Sequence, residues 1–318
     1  MSDTLPVCDP HFHLWNIHTR PNPSLGDAVE KHLPVYHGED YRQEVATLPD
    51  TLQIASSVHV ETVVGQMEGG HVLDTVSETR WVCEQMGPTE SEHPFGIVGY
   101  VHLAHDSAHT DRLLERHIAT ADGRFRGVRM ILNHHPTNPD LTWPQVEHGN
   151  FMRSDVFRES VAMLGEKSLS FDLQCNPHQL EEAARTFSDI PGTTVILDHL
   201  GHIHDGEDAA HEEIWRDGMQ ALSEVGHVNV KLSMLYFGCE GFHEDPRKEE
   251  IVKDRVHETI ERFGPDRCMF ASNYPVERVQ GISLHRLYEM FDEWTAHLTP
   301  EVRRSLFHDT AARVYRMN

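Results

Sequence analysis

Short apolar runs alternate along the chain with longer amphipathic stretches. Eight runs have the length and the Val, Ile and Phe content of buried parallel strands: Pro6–His11, Gln53–His59, Gly96–His102, Gly127–Ile131, Ser168–Leu173, Thr194–Leu197, His227–Leu232 and Arg267–Ala271. Helical spacing fills most of the intervals, at Gln66–Met86, Asp111–Thr120, Ser154–Leu164, His178–Thr186, Ala209–Val225 and Lys248–Phe263. The second of these carries Leu113, Leu114 and Ile118 on one face. Two further helices, Ser283–His297 and Pro300–Arg316, end the series; the last has Thr299 as cap, Pro300 at its first position and Glu301 in its first turn. Strand and helix alternating about eight times predict an α/β fold, the (β/α)8 TIM barrel, as one domain over 1–318.

Two stretches break the alternation. Asn16–Leu48, with Pro21, Pro23 and Pro34, reads as a long loop with a short helix near its end. Asn133–Asn150, with three prolines and three histidines, reads as a second long loop. In a barrel such loops cover the C-terminal mouth, where active sites lie. Neither resembles a domain linker, and there is no internal repeat.

Composition narrows the partners. The 318 residues suffice for a barrel of ~250 residues plus insertions. No apolar run approaches the ~20 residues that cross a bilayer. The first residues lack the basic and apolar regions of a signal peptide, so the cytoplasm is the expected compartment. A formal net charge of −24 opposes nucleic acid and anionic membranes. Lysine is scarce beside arginine, which fits a saline habitat or a high-GC genome alike. The cysteines, Cys8, Cys83, Cys175, Cys239 and Cys268, form no CxxC pair and are expected to be reduced, mostly buried thiols.

The sharpest chemical feature is Asp9-Pro10-His11-Phe12-His13-Leu14-Trp15. Residues two apart on a strand share a face, so His11 and His13 converge. Two neutral imidazoles so placed bind a borderline metal such as Zn²⁺ or share proton transfer. With 26 histidines in the chain, a chance pair is the competing reading. His59 and Glu61 repeat the spacing at the end of the second strand, and His102 ends the third. Glu61 is a candidate base if burial raises its pKa; the alternatives are a solvated loop carboxylate or a salt-bridge partner. Arg129 and Lys231 are cations at strand positions. They meet a substrate carboxylate, or they form buried ion pairs with Asp172, Glu61 or Asp198. No Gly-x-Ser-x-Gly elbow, P-loop or Rossmann glycine fingerprint is present.

Asp9–Trp15 resembles the opening of the amidohydrolase-2 family, barrel hydrolases that include 2-pyrone-4,6-dicarboxylate lactonase and sugar-acid lactonases. The resemblance continues in order through Gly127-Val128-Arg129, Phe171-Asp172-Leu173-Gln174, Leu197-Asp198-His199-Leu200-Gly201 and Lys231-Leu232-Ser233. It ends at Ser272-Asn273-Tyr274-Pro275-Val276. It implies that His199 is a third metal ligand or an acid that polarises the scissile carbonyl, beside His11 and His13. It also places Gln174 and Tyr274, with His59, His102, Arg129 and Lys231, among substrate-binding candidates. The family usually has aspartate at Asn273, where it serves as general base and, in metal-bearing members, as a ligand. An amide lacks that basicity and is left to orient substrate or water. His202 and His204 follow the hallmark segment as further ligands or as surface residues.

The resulting expectation is hydrolysis of a small carboxylate-bearing lactone or similar cyclic ester or amide. Catalytic roles fall to His11, His13, Glu61, His199 and Asn273. A divalent ion, Zn²⁺ first, sits on His11, His13 and His199, with a metal-free mechanism beside it. The alternatives are a metal-dependent decarboxylase of a small unsaturated or aromatic acid, and a non-catalytic binding barrel because of Asn273. Barrels of this size commonly pair, so a homodimer is expected.

Overall fold

The computed structural model describes residues 4–317 apart from 22–24, 63–66, 69–70, 73, 89–92 and 205–208. Eight strands form one sheet: β1 (Leu5–Phe12), β2 (Leu52–Val60), β3 (Phe95–Tyr100), β4 (Phe125–Ile131), β5 (Ser170–Gln174), β6 (Val195–Leu197), β7 (Val228–Leu232) and β8 (Cys268–Phe270). Their order in the sheet is their order in the chain, the parallel topology of a (β/α)8 barrel. All eight lie on the predicted runs. These strands are buried almost throughout: β6 and β8 are contiguous apolar runs, whereas β4, β5 and β7 bury polar residues among apolar ones.

Contacts divide the chain into two compact units. The first comprises residues 1–100, 115–126 and 269–318. In it β1 pairs with β2 from Leu5↔Leu52 to Phe12↔His59, and β2 with β3 from Ser57↔Phe95 to Val60↔Val98. The residues leaving β8 return to the end of β1. Phe12 bridges Tyr274, Asn273 N–H donates to the His11 carbonyl at 2.8 Å, and His13 N–H donates to the Tyr274 carbonyl at 2.7 Å.

The second unit comprises residues 101–114 and 127–268. In it β4 pairs with β5 from Gly127↔Ser170 to Ile131↔Gln174, β5 with β6 from Phe171↔Val195 to Leu173↔Leu197, and β6 with β7 from Val195↔Val228 to Leu197↔Val230. Gly127 is required here. A Cβ at this position would overlap Ser170 Oγ and come within 2.8 Å of the Ser170 carbonyl oxygen.

Helices differ from expectation where local chemistry overrides apolar spacing. The helix expected at Gln66–Met86 spans Val76–Met86, because Met67–Glu68 pairs antiparallel with His71–Val72. Residues 66, 69, 70 and 73 lie outside the described residues. The helix expected from Lys248 starts at Pro246, because the Asp245 side chain accepts Arg247 N–H at 2.8 Å and proline suits the first turn. Asn16–Leu48 holds more order than a loop: Trp15–Asn16 pairs with Val35–Tyr36, and helices span Gly26–His32 and Gly38–Val45. Thr299 does cap the last helix, but a π-helical turn at Ser305–Asp309 separates Pro300–Arg304 from Thr310–Val314. All five cysteines are free, and four are buried. Among the described residues no helix is long and apolar enough to cross a membrane.

Candidate active site

In the first unit His11 is the penultimate residue of β1 and His13 lies just beyond the strand, both buried. Their Nε2 atoms are 3.1 Å apart. His13 Nδ1 lies 2.7 Å from the Val60 carbonyl. A carbonyl only accepts, so Nδ1 carries the proton and the neutral ring turns a bare Nε2 toward His11. Two nitrogens bound at about 2.0–2.1 Å to a tetrahedral ion stand about 3.3 Å apart, so the pair fits a divalent metal. Without an ion, the His11 Nε2 proton satisfies the same contact.

Asp9, two residues before His11, braces this end. Its carboxylate accepts from Ser272 Oγ at 2.7 Å, Tyr41 Oη at 2.8 Å and Ser272 N–H at 2.9 Å. Burial pushes the Asp9 carboxyl up, against the pull of those donors. Asn273 has a left-handed backbone, φ 52°, a conformation asparagine tolerates. Its Nδ2 donates to Glu277 Oε1 at 3.4 Å. Tyr274 is buried with its hydroxyl engaged: it accepts Leu284 N–H at 3.1 Å and donates to the Ile282 carbonyl at 3.3 Å. The phenol of Tyr274 is thus tied to the backbone of the segment that follows it.

His59 and Glu61 are each 1% exposed, so Glu61 is not a solvated loop carboxylate. His59 sits edge-on to Phe12, with ring centroids 5.5 Å apart, and 6.5 Å from the His13 ring. The Glu61 N–H donates to the Val98 carbonyl, fixing its backbone at the end of β2. Thr62, next in the chain, donates its N–H and its hydroxyl to Glu78 Oε1, at 2.7 and 2.9 Å.

In the second unit Arg129 Nη1 donates to Gln174 Oε1 at 3.2 Å, so these two candidates come together. Lys231 goes elsewhere. Its Nζ is 2.6 Å from Asp172 Oδ2 and 3.0 Å from Asp198 Oδ1, and all three side chains are 0% exposed. Two aspartates meet the buried ammonium, the ion pair that stood as the alternative to a substrate carboxylate for Lys231. His199 follows β6 with φ 59°, and its Nδ1 meets Ser233 Oγ at 2.9 Å. Leu200, His202 and, after β7, Met234 are also left-handed. Such backbone costs about 1–3 kcal/mol per residue and clusters where a site dictates geometry. His102 is half-buried, its ring 4.4 Å from His105 and 5.7 Å from Phe151.

His202 and His204 are not surface residues. His202 is buried, and its Nδ1 meets His204 Nε2 at 2.8 Å. Burial keeps both neutral, pushing His202 well down and His204 to about 4. Sequence reasoning missed Asp9, Ser233, Glu78 and Glu277. The two-residue rule would have found Ser233, which follows Lys231 by one strand repeat, but a register shift between Asp9 and Phe12 keeps it from applying to Asp9.

A family model described as amidohydrolase matches residues 8–317. A protein of Sinorhizobium fredii, described as uncharacterized protein y4mH, is 32% identical over 100% of both chains. An L-fucono-1,5-lactonase of Burkholderia ambifaria is 24% identical, covering 98% of this chain and 95% of its own. A crystal structure of an amidohydrolase from Burkholderia multivorans with bound zinc superposes with a TM-score of 0.77 at 21% identity, over 98% of this chain and 99% of that one.

Proposed function

The chain belongs to the amidohydrolase family, and from that we propose that it hydrolyses a small carboxylate-bearing lactone, or a similar cyclic ester or amide, by attack of an activated water. The observation that carries this reading is the His11–His13 pair at the end of β1, with its nitrogens 3.1 Å apart and His13 held as the Nδ1–H tautomer. The L-fucono-1,5-lactonase relatives support a lactone as substrate, and the cation Arg129 at its strand position supports the carboxylate.

Roles follow from strand position, since barrels of this class carry their chemistry at the C-terminal strand ends. His11, His13 and His199 would hold a divalent ion, zinc by their all-imidazole chemistry. When bound, such an ion polarises a carbonyl and acidifies water. Glu61 takes the proton of the attacking water, and its burial suits a carboxylate whose basicity must rise. Arg129, steadied by Gln174, meets the substrate carboxylate. Asn273 orients the substrate, and His59 and His102 contact it. In the metal-free form of the same reading His199 donates to the carbonyl directly.

Asn273 favours a second reading. Its amide stands where the family usually has a carboxylate, and decarboxylation needs no water-activating base. The test is metal analysis of protein purified without chelator, then a panel of lactones that includes L-fucono-1,5-lactone, with acid release followed by pH-stat. We expect ring opening, and about one equivalent of zinc or manganese lost together with turnover in His11→Ala/His13→Ala. Turnover without metal overturns the metal form. CO₂ release from small unsaturated or aromatic acids, with no lactone opened, overturns the hydrolase.

A further inference from the structure

His199 and Ser233 stand just beyond the ends of neighbouring strands, β6 and β7, and are 4% and 1% exposed. Lys231 ties the two segments together below them. Its Nζ holds Asp198, the residue before His199, at 3.0 Å, and Ser233 follows two residues later in the chain. Above that tie the Ser233 hydroxyl meets His199 Nδ1 at 2.9 Å. Both residues line one small cavity. Among the described residues its other side chains offer the imidazole no second hydroxyl: Leu200, Ile203, Met234, Leu235 and Val252 are apolar, and Arg255 only donates.

We propose that Ser233 is a positioning residue for His199 and that its hydroxyl follows the imidazole proton. It accepts from Nδ1–H when Nε2 serves as a ligand, and it donates to Nδ1 when the proton sits on Nε2. The inference rests on the reading of His199 as a ligand or an acid. A neutral imidazole has one proton for two nitrogens, and the bond made at one nitrogen decides which form is held. At His13 that bond goes to the Val60 carbonyl, which can only accept, so the ring is fixed as the Nδ1–H form. A hydroxyl has a rotatable proton as well as lone pairs, so it satisfies either form of His199. A carbonyl in its place would hold one form alone, and alanine would take the bond away. His13 is the fixed ring and His199 the adjustable one.

Nitrogen-15 magnetic resonance of the full chain with labelled histidine reads the tautomers. The two rings are identified by the signals lost in His199→Ala and His13→Ala. Without zinc, His199 should populate the Nε2–H form. About one equivalent of zinc should move it to Nδ1–H, while the zinc-free His13 ring is already Nδ1–H. A His199 ring held as Nδ1–H with and without zinc has a plain acceptor beside it, which overturns the proposal. Competition with a chromophoric chelator then measures zinc affinity in variants whose circular dichroism matches wild type. Ser233→Ala should weaken it about 10–100-fold, and Ser233→Thr, which keeps the hydroxyl, should recover most of that loss. In a His199→Ala background, Ser233→Ala should change affinity by less than about 2-fold, because its effect passes through that ring. Wild-type affinity in Ser233→Ala, no recovery in Ser233→Thr, or an equal loss in both backgrounds sinks the role of Ser233 and leaves His199 a ligand. Zinc uptake that is absent in wild type, or undiminished in His199→Ala, sinks the ligand reading and the proposal with it.

Discussion

Replacing Lys231 by methionine tests whether this cation is structural. Its Nζ lies 2.6 Å from Asp172 and 3.0 Å from Asp198, with no part of the three side chains exposed. Methionine fills most of the same volume, so packing changes little. What changes is charge: two buried carboxylates lose their shared cation, and Asp172 keeps the weaker Ser170 hydroxyl at 3.3 Å. Removing one partner of a buried pair costs about 3–5 kcal/mol, a large part of the roughly 5–15 kcal/mol that holds a domain folded. Burying an unpaired anion is relieved by taking up a proton, so the deficit should shrink as pH falls. Urea denaturation followed by circular dichroism at about pH 5 and about pH 8 measures both effects. Adding Asp172→Asn should recover part of the loss, a coupling of more than about 1 kcal/mol. A variant within about 1 kcal/mol of wild type at both pH values, yet with a raised KM for carboxylate substrates, would refute the reasoning and return Lys231 to the substrate.

Three further outcomes are expected. Gly127→Ala should destabilise by about 1–3 kcal/mol, because its Cβ meets Ser170 side chain and backbone together; Ser170→Ala should rescue it only in part, and full rescue in denaturant melts would show that the backbone is not the obstacle. Asn273→Asp sets a carboxylate beside Glu277, now 3.4 Å from the amide, and should cost about 1–3 kcal/mol at pH ~8 and less in acid. If the native chain turns over nothing and this variant gains hydrolysis, the protein is a binding barrel. Glu78, raised from 4.5 to about 8 by burial and Glu61, favours the native state only while protonated. Its contribution is complete below about pH 4.5 and lost as pH rises through about 8. Wild type should therefore lose a few kcal/mol against Glu78→Gln over that window, and parallel stability–pH curves would contradict this.

The strands were legible because short segments rich in Val, Ile, Leu and Phe recur between helical stretches, even in β4, β5 and β7, where polar residues interrupt the apolar ones. The order within 16–48 was not legible. The pairing of Trp15–Asn16 with Val35–Tyr36 is too short to show a period. At the site, spacing on one strand brought out His11 with His13 and His59 with Glu61. It could not show the Val60 carbonyl that sets the His13 tautomer, since main-chain acceptors have no residue identity. Lys231 had two readings in sequence. Its partners Asp172 and Asp198 lie on two other strand segments, so only the fold could show that both meet it. The contacts of Tyr274 were not legible, because a motif shows neighbours in sequence, while its hydroxyl reaches forward to Ile282 and Leu284.

The join between the first and last strands has a consequence for how such proteins diversify. Position 273 grips the His11 carbonyl through its own amide N–H, and Tyr274 holds the His13 amide through its carbonyl. Neither bond consults the side chain at 273. A lineage can therefore exchange aspartate for asparagine there, and trial a different reaction, while the histidines next door keep their places.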